Sequence, residues 1–237
     1  MSNSYFNFKQ FTVYQDRCAM KVGIDGVLLG AWCNVVDTDH ILDIGTGTGL
    51  IALMIAQRSN SLIDAIEIDS TAVLQASENV KHSPWANRIK VEEVSLQDFA
   101  ATTSQRYDLI VSNPPYFINS LKAPSEDRNV ARHTDSLTHE ELISNAIHLL
   151  KPEGRICIIL PVNEALLCRD FALCNGLFCT REVKVIPKPT TNPKRTLLEF
   201  RLQPIQQEVS ELVIESNERH HYSEEFSLLA KDFYLKL

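Results

Sequence analysis

The chain has 237 residues, of which 44% are hydrophobic and 22% are charged, so it can bury one large α/β core or two small ones. Residues 1–5 lack the basic and apolar character of a leader, and no apolar run reaches membrane-spanning length, so we expect a cytoplasmic protein. The net charge of −7 excludes a general attraction for polyanions over the whole surface.

The first 39 residues contain two short candidates for regular structure. The run 6–11 is compatible with a short strand, and Asp25 is placed to cap a helix through residues 27–32. From about residue 40 onward, strand-like and helix-like segments alternate. The predicted strands are 40–44, 62–68, 89–94, 107–112, 155–160, 178–186 and 196–202. The predicted helices are 50–58, 70–82, 138–150 and 163–175.

Two of the helices carry clear end signals. The capping box Thr138 to Glu141 begins one, and Gly176 closes another. The alternation predicts an α/β fold with a mostly parallel sheet and helices on both faces. We predict a single domain over residues 1–237. It comprises an N-terminal extension (1–39), a core (40–203), and a C-terminal strand and helix (204–237).

The cysteines argue against a metal site, and the distribution of charges indicates where nucleic acid could bind. The six cysteines lie mostly in apolar segments without a Cys-x-x-Cys pair, so we predict buried reduced thiols and no metal site. Residues 181–201 hold six basic and two acidic side chains, a local excess on an acidic body. Around the turn 189–193, Lys188, Lys194 and Arg195 are candidates for contacts to nucleic-acid phosphates, or they keep a hairpin soluble.

A glycine-rich loop follows the strand 40–44 and opens a helix. Its sequence is Asp43-Ile44-Gly45-Thr46-Gly47-Thr48-Gly49, in which the glycines let the backbone approach a ligand and present helix N-terminal amides. Asp43 can hold loop amides or a ligand ammonium group. Glu67, which ends the next strand, can accept hydrogen bonds from two ribose hydroxyls, and Asp69 is a neighbouring candidate. Nicotinamide and adenosyl cofactors both use such an acid.

A rigid tetrapeptide follows the buried strand 107–112. It is Asn113-Pro114-Pro115-Tyr116, and Pro114 ends the strand because proline cannot donate to a sheet ladder. The tetrapeptide therefore lies at the carboxyl end of a strand, which is where open α/β sheets bind ligands. A turn alone explains one proline but not the whole tetrapeptide.

These motifs resemble those of the class I S-adenosylmethionine-dependent methyltransferases. Residues 43–49 match the cofactor loop, Glu67 the ribose acid, and residues 113–116 the fourth motif of the amino methyltransferases, which modify exocyclic nitrogens of adenine or a glutamine amide. The resemblance implies a Rossmann-like, seven-stranded, mostly parallel sheet and S-adenosylmethionine as cofactor. It also implies cofactor contacts at Asn113 and at Ser95 and Leu96, although the family commonly has Asp where this chain has Ser95; Asp98 is the other candidate.

A narrower resemblance extends over nearly the whole chain. It is to the adenine-N6 tRNA methyltransferases that act on the adenine beside the anticodon of a valine tRNA. The segments that carry it are residues 8–11, 16–23 with Asp25-Gly26, 83–85, 131–133 and 233–235. The resemblance implies tRNA as substrate, and the sequence indicates no stable protein partner.

The tetrapeptide suits methylation of an adenine amino group, whose lone pair is delocalised into the ring. Two acceptors, the Asn113 side-chain oxygen and the Pro114 carbonyl, can take both N–H bonds and direct the lone pair toward a sulfonium methyl. Pro115 fixes the angle between them, and Tyr116 offers a face on which the base can stack. This is positioning catalysis, which needs neither a metal nor a covalent nucleophile.

Other candidate residues flank these motifs. Lys21 and Asp25 can contact the methionine moiety of the cofactor, or they serve as surface and capping residues. The polar stretch 117–136 is either a substrate lid or a disordered insertion, and the candidates for binding substrate within it are Arg128, Arg132 and His133.

Three alternative functions stay open at this point. The same tetrapeptide serves glutamine N5-methyltransferases of translation release factors, although these usually carry a helical N-terminal domain for which 39 residues are too few. A nicotinamide-dependent oxidoreductase explains the glycine loop but not residues 113–116. An RNA-binding scaffold with a vestigial donor site is disfavoured by intact Asp43, Glu67 and Asn113.

Overall fold

The computed structural model describes residues 3–18, 21–115, 137–216 and 221–237. Its strands are β1 (Tyr5–Asn7), β2 (Thr12–Tyr14), β3 (His40–Ile44), β4 (Leu62–Glu67), β5 (Ile89–Glu93), β6 (Tyr107–Ser112), β7 (Leu150–Pro161), β8 (Phe178–Ile186), β9 (Arg195–Arg201) and β10 (Glu208–Val213). Its helices are α1 (Ile24–Trp32), α2 (Leu50–Arg58), α3 (Ser70–Lys81), α4 (Leu96–Thr102), α5 (His139–Leu149), α6 (Val162–Cys174) and α7 (Glu224–Ala230). Within these ranges no helix is long and apolar enough to cross a membrane.

The main sheet has the strand order β10-β8-β9-β7-β6-β3-β4-β5, and only β9 runs antiparallel to its neighbours. The predicted fold class, a mostly parallel α/β sheet, is therefore confirmed. The described residues give this sheet eight strands instead of the predicted seven, because β10 pairs in parallel with β8 at one edge. The N-terminal residues form a separate antiparallel hairpin of β1 and β2.

Hydrophobic residues cover both faces of the sheet, in agreement with the predicted arrangement. Alternate residues of β6 belong to different cores: Leu109 and Val111 pack with α1, α2 and α7, whereas Ile110 packs with α4, α5 and α6. This alternation follows from the period of two along a strand. On β3, Asp43 lies two residues after Ile41, so it faces the core that contains α2.

Two helices differ from the sequence-based prediction. Thr138 and Glu141 form the predicted capping box of α5, but α1 begins after Gly23, so Asp25 lies in its first turn and does not cap it. Helix α4 was not predicted; Ser95 caps it by accepting a hydrogen bond from the amide of Asp98. The helix predicted within the C-terminal part 204–237 is α7, which follows the cap Ser223.

The two chain ends meet in one aromatic cluster. The ring of Phe8 stacks on Phe11 at a centroid distance of 4.7 Å, and Phe11 meets Trp85 edge-on at 5.7 Å. The amide of Lys9 donates to the carbonyl of Phe233 over 2.8 Å. Three of the motif segments that carry the narrower resemblance are thus parts of one packing unit, which fixes the N-terminal extension against the core.

Candidate active site

Four chain segments leave the sheet side by side at the edge where the parallel strands end, which we call the carboxyl edge. Ile44 of β3 pairs with Ser112 of β6 on one side and with Ile66 of β4 on the other, and Glu67 pairs with Glu93 of β5. The following residues, Gly45, Asn113 and Ser95, therefore lie with Glu67 along one edge. The chain order of the strands reverses between β3 and β6, and such a switch point opens a crevice for ligands.

The glycine loop has the backbone conformation that only glycine adopts without strain. Gly45, Gly47 and Gly49 have φ values of 70°, 57° and 81°. A Cβ atom at Gly45 or Gly47 would meet nothing within 4 Å, so the space above both residues is open to a ligand. A Cβ at Gly49 would lie 3.5 Å from the Cβ of Ala76, which shows that α3 packs closely against this end of the loop.

Asp43 is a buried carboxylate with one unsatisfied oxygen. Its Oδ2 accepts a hydrogen bond from the Thr46 hydroxyl over 2.6 Å, while Oδ1 has no hydrogen-bond partner among the described residues. Burial raises the pKa of Asp43 to about 7, and hydrogen bonds from the Thr46 hydroxyl and the Ala52 amide oppose that increase. An unsatisfied buried acceptor is costly, so the site fits a ligand that brings a hydrogen-bond donor or a positive charge.

Glu67 is held at the carboxyl edge by main-chain amides. Its Oε2 accepts from the amide of Gly47 over 3.0 Å, and its Oε1 accepts from the amides of Ile68 and Asp69. Asp69 caps α3 by accepting from the amides of Thr71 and Ala72, and the Thr71 hydroxyl lowers the pKa of its carboxyl. Both acids thus accept hydrogen bonds from nearby main-chain amides, and contacts from either one to ribose hydroxyls stay predictions.

Ile68 is an exposed apolar residue at this edge that the sequence analysis did not consider as a candidate. Its side chain is 63% exposed directly after Glu67, so it offers an apolar surface beside the crevice. An apolar residue between two acids at the end of the predicted strand 62–68 was the available signal.

Ser95 and Leu96 lie at the end of β5, at the same edge. The Ser95 hydroxyl is engaged in the cap of α4, donating to Asp98 Oδ2 over 2.7 Å, and Leu96 is buried in the core beneath that helix. The amide of Val94 donates to the carbonyl of Glu67 over 3.0 Å, which ties this strand end to the end of β4. A cofactor contact by Ser95 or Leu96 stays a prediction.

The tetrapeptide that follows β6 begins beside the glycine loop. The Ser112 hydroxyl donates to the carbonyl of Ile44 over 3.0 Å, which locks the two strand ends together. Asn113 is half-buried, Pro114 is buried and Pro115 is exposed. Tyr116 and the predicted loop with Arg128, Arg132 and His133 lie outside the described residues.

Asp25 and Arg195, which were predicted to contact different ligands, form an ion pair. Arg195 Nε lies 2.9 Å from Asp25 Oδ2, and Arg195 stands at the start of β9, opposite Pro161 of β7. The ion pair therefore joins α1 to the carboxyl edge. Lys21 donates through its ammonium group to the carbonyl of Gln15. Contacts from Lys21 and Asp25 to a cofactor, and from Arg195 to phosphate, stay predictions.

The basic turn between β8 and β9 also lies at the carboxyl edge. Lys188 is paired with Glu215 at 3.0 Å, while Lys194 is exposed and its amide donates to the carbonyl of Val185. Both lysines are thus on the same edge of the sheet as Asn113. This position is compatible with the predicted contacts to phosphate.

Comparison with known proteins decides the family. The family model described as "Methyltransferase small domain" matches residues 26–184, which include the glycine loop, Glu67 and the tetrapeptide. The chain belongs to the methyltransferase small domain family.

Relatives of this methyltransferase match it from end to end. Proteins named tRNA1(Val) (adenine(37)-N6)-methyltransferase from Parabacteroides distasonis and Phocaeicola vulgatus are 53% and 52% identical to it, with 100% of both chains covered. The protein of the same name from Histophilus somni is 46% identical over 97% of both chains.

Solved structures share the fold of this methyltransferase at low identity. A protein described as a predicted O-methyltransferase from Agrobacterium tumefaciens has a TM-score of 0.69 at 16% identity, covering 88% of this chain and 96% of that one. A ribosomal protein L11 methylase from Lactobacillus delbrueckii has a TM-score of 0.56 at 15% identity, covering 83% and 84%. At these identities the likeness concerns the fold alone.

The cofactor of this methyltransferase is S-adenosylmethionine, and the site fits it on three grounds. Asp43 presents an unsatisfied buried oxygen, the space above Gly45 and Gly47 is open, and Glu67 is anchored at the end of β4. The amides at the start of α2 complete the cradle. Asp43 and Glu67 would therefore hold the polar groups of the cofactor, whose methionine moiety carries an ammonium group and whose ribose carries two hydroxyls.

Proposed function

We propose that this methyltransferase transfers a methyl group from S-adenosylmethionine to the exocyclic N6 of adenine 37, beside the anticodon of a valine tRNA. The observation that carries the proposal is the position of Asn113, which follows Ser112 at the strand end paired with Ile44 and so stands beside the glycine loop. A full-length relative at 53% identity, whose name states this reaction, supports the proposal.

The chemistry rests on two hydrogen-bond acceptors that stand next to each other in the chain. The Asn113 side-chain oxygen and the Pro114 carbonyl accept the two N–H bonds of the adenine amino group, and the lone pair then faces the methyl donor. Positive charge develops on the nitrogen as the new bond forms, so fixed acceptors stabilise the transition state more than the ground state. The cofactor supplies an electrophilic methyl group on a sulfonium centre. Asn113 and Pro114 would hold the nitrogen in line with that methyl group, so that the N–C bond forms as the S–C bond breaks, and the methylated amino group then loses one proton to solvent.

The rigidity of the clamp comes from its attachment to the sheet. Pro114 is buried and fixes its own φ, Pro115 restricts the conformation of the residue before it, and the Ser112 hydroxyl ties the preceding residue to β3. The target base must leave its stack to reach such a site, and Tyr116 is the residue predicted to stack on it, which is worth about 1–3 kcal/mol.

The tRNA body has to be held by a limited part of an acidic surface. Lys188 and Lys194 lie at the carboxyl edge, where their charges can neutralise phosphates next to the flipped base. Together with the predicted contacts from Arg128, Arg132 and His133, they give the proposed tRNA surface. Action in the cytoplasm is part of the same proposal.

The proposal is tested with isotopically labelled S-adenosylmethionine and an unmodified transcript of the valine tRNA. We expect one methyl group per tRNA, recovered as N6-methyladenosine at position 37. The matched control is a transcript with guanine at position 37, which lacks the N6 amino group and should stay unlabelled. Methylation of a release-factor glutamine, with both tRNAs unlabelled, would instead establish the alternative substrate of the same clamp.

A further inference from the structure

A segment before α1 is fastened to α3 by buried amide side chains. We call residues 12–18 and 21–22 the N-terminal strap. Asn79 of α3 accepts from the amide of Tyr14 over 2.8 Å and donates to its carbonyl over 2.9 Å. Gln75, one turn earlier, accepts from the amide of Arg17 over 3.0 Å. Both amide side chains are almost completely buried, so these hydrogen bonds are shielded from water.

The same helix face touches the glycine loop. The second hydrogen of Asn79 Nδ2 goes to the carbonyl of Thr48 over 2.8 Å, and Ala76 packs against Gly49. Gln75, Ala76 and Asn79 share one side of the helix because they are spaced at i, i+1 and i+4. One face of α3 thus connects the N-terminal strap to the cofactor loop.

The N-terminal strap turns back on itself around Gln15. The side-chain oxygen of Gln15 accepts from the amide of Val22 over 2.7 Å, and its backbone carbonyl accepts from the Lys21 ammonium group. These contacts close the strap into a loop whose two ends are held together. Cys18 lies inside that loop and is only 6% exposed.

Two observations direct the N-terminal strap toward the ribose acid. The strap is held at Asn79 through Tyr14 and, one turn nearer the start of α3, at Gln75 through the Arg17 amide, so it runs toward the end of β4. The pKa of the Cys18 thiol, raised by burial and further by the carboxylates of Glu67 and Asp69, agrees with this direction. Independently, Gln75 Nε2 is a buried donor without a hydrogen-bond partner among the described residues. Buried donors are almost always satisfied in native proteins, so an unsatisfied one beside a crevice indicates a missing acceptor.

We propose that the N-terminal strap forms the outer wall of the adenosine half of the cofactor pocket, with Cys18 facing the ligand. Gln75 and Asn79 are positioning residues that hold this wall against the glycine loop. The inference rests on the proposed function, because it uses the same cofactor site. Closing the wall excludes water from the crevice and strengthens the hydrogen bonds at Glu67.

Protection of the Cys18 thiol tests the wall directly. The wild-type protein is treated with N-ethylmaleimide with and without saturating S-adenosylhomocysteine, and each cysteine is quantified by mass spectrometry. We expect modification of Cys18 to slow at least tenfold with the ligand. Cys174, an exposed thiol at the end of α6, is the internal control and should react equally in both samples.

A variant of α3 tests the positioning role. Gln75→Met keeps the buried volume but removes the acceptor for the Arg17 amide, so we expect faster Cys18 modification without ligand and an apparent KM for the cofactor about tenfold higher. The apparent KM for tRNA should stay unchanged, which a general loss of folding would not produce. Ser77→Ala, on the exposed side of the same helix, is the matched control.

The possible outcomes test the proposed wall and the proposed function separately. If calorimetry shows that S-adenosylhomocysteine binds, but Cys18 reacts at the same rate with and without it, the wall is wrong and the proposed function stands. Equal cofactor KM values for Gln75→Met and wild type would overturn the positioning role. A wild-type protein that does not bind S-adenosylhomocysteine would overturn both proposals.

Discussion

The glycine loop offers a test that separates backbone strain from ligand binding. Gly47 and Gly176 both have a positive φ, 57° and 80°, and a Cβ at either would meet nothing within 4 Å. They differ in location, because Gly47 lies in the proposed cofactor cradle and Gly176 follows α6 before β8. Gly47→Ala and Gly176→Ala therefore impose the same kind of strain at different places.

The expected magnitudes follow from that comparison. An L-residue in the left-handed region costs about 1–2 kcal/mol. This should lower the Tm of both variants by about 2–8 °C in a chain of this size. Only at Gly47 does the new methyl group enter the space required by the ligand, so its affinity for S-adenosylhomocysteine should fall at least tenfold, about 1.4 kcal/mol.

The assay is titration calorimetry beside a thermal melt for wild type and both variants. We expect Gly176→Ala to bind the ligand as wild type does despite its lower Tm. Wild-type affinity in Gly47→Ala would refute the assignment of the open space above this loop to the cofactor. Equal losses of affinity in the two variants would show that lower stability, and not the new methyl group at residue 47, weakens ligand binding.

Three further predictions concern the clamp, the buried acid and the basic edge. Asn113→Ala should lower kcat by about 10²–10³-fold with unchanged calorimetric affinity for S-adenosylhomocysteine, because the lost acceptor acts on the base; near-normal turnover would refute the clamp. Because the pKa of Asp43 is raised to about 7, the unliganded folded state holds this proton more tightly than the unfolded state. The free energy of unfolding of the unliganded protein should therefore decrease as the pH rises from about 4 to about 7. Asp43→Asn should remove that part of the pH dependence in denaturant titrations. Lys194→Ala should reduce the slope of log affinity for tRNA against log salt concentration by about 1 in filter binding, with the cofactor KM unchanged. Arg195→Ala should instead raise the cofactor KM, because it removes the ion pair with Asp25. Identical behaviour of the two variants would contradict these separate roles for Lys194 and Arg195.

Local patterns predicted most of the fold because most of its elements are locally encoded. Apolar runs such as 107–112 form buried strands wherever they pair, and Thr138 with Glu141 specify a helix start by themselves. Strand β10 did not count among the predicted sheet strands because it lies at an edge, where four of its six residues are exposed and the apolar alternation is lost. Helix α4 spans only seven residues, too few for a period to emerge.

The candidate site was predictable to the extent that strand ends define it. Gly45, Glu67 and Asn113 each follow or end a predicted strand, and parallel strands bring such ends to one edge. The Asp25–Arg195 ion pair joins residues 170 positions apart, and no local pattern encodes it. The same holds for Gln75, whose partner Arg17 is 58 positions away. The single-domain organisation and the individual site roles stay predictions.

Methylation of one adenine of the valine tRNA can be tested by mapping this modification in cells. Valine tRNA is purified from a strain that lacks this gene and from the same strain complemented with wild-type or Asn113→Ala protein, and N6-methyladenosine is located by mass spectrometry. We expect the modification at position 37 only with the wild-type protein. Full modification at position 37 in the strain that lacks the gene, or in the Asn113→Ala strain, would contradict it.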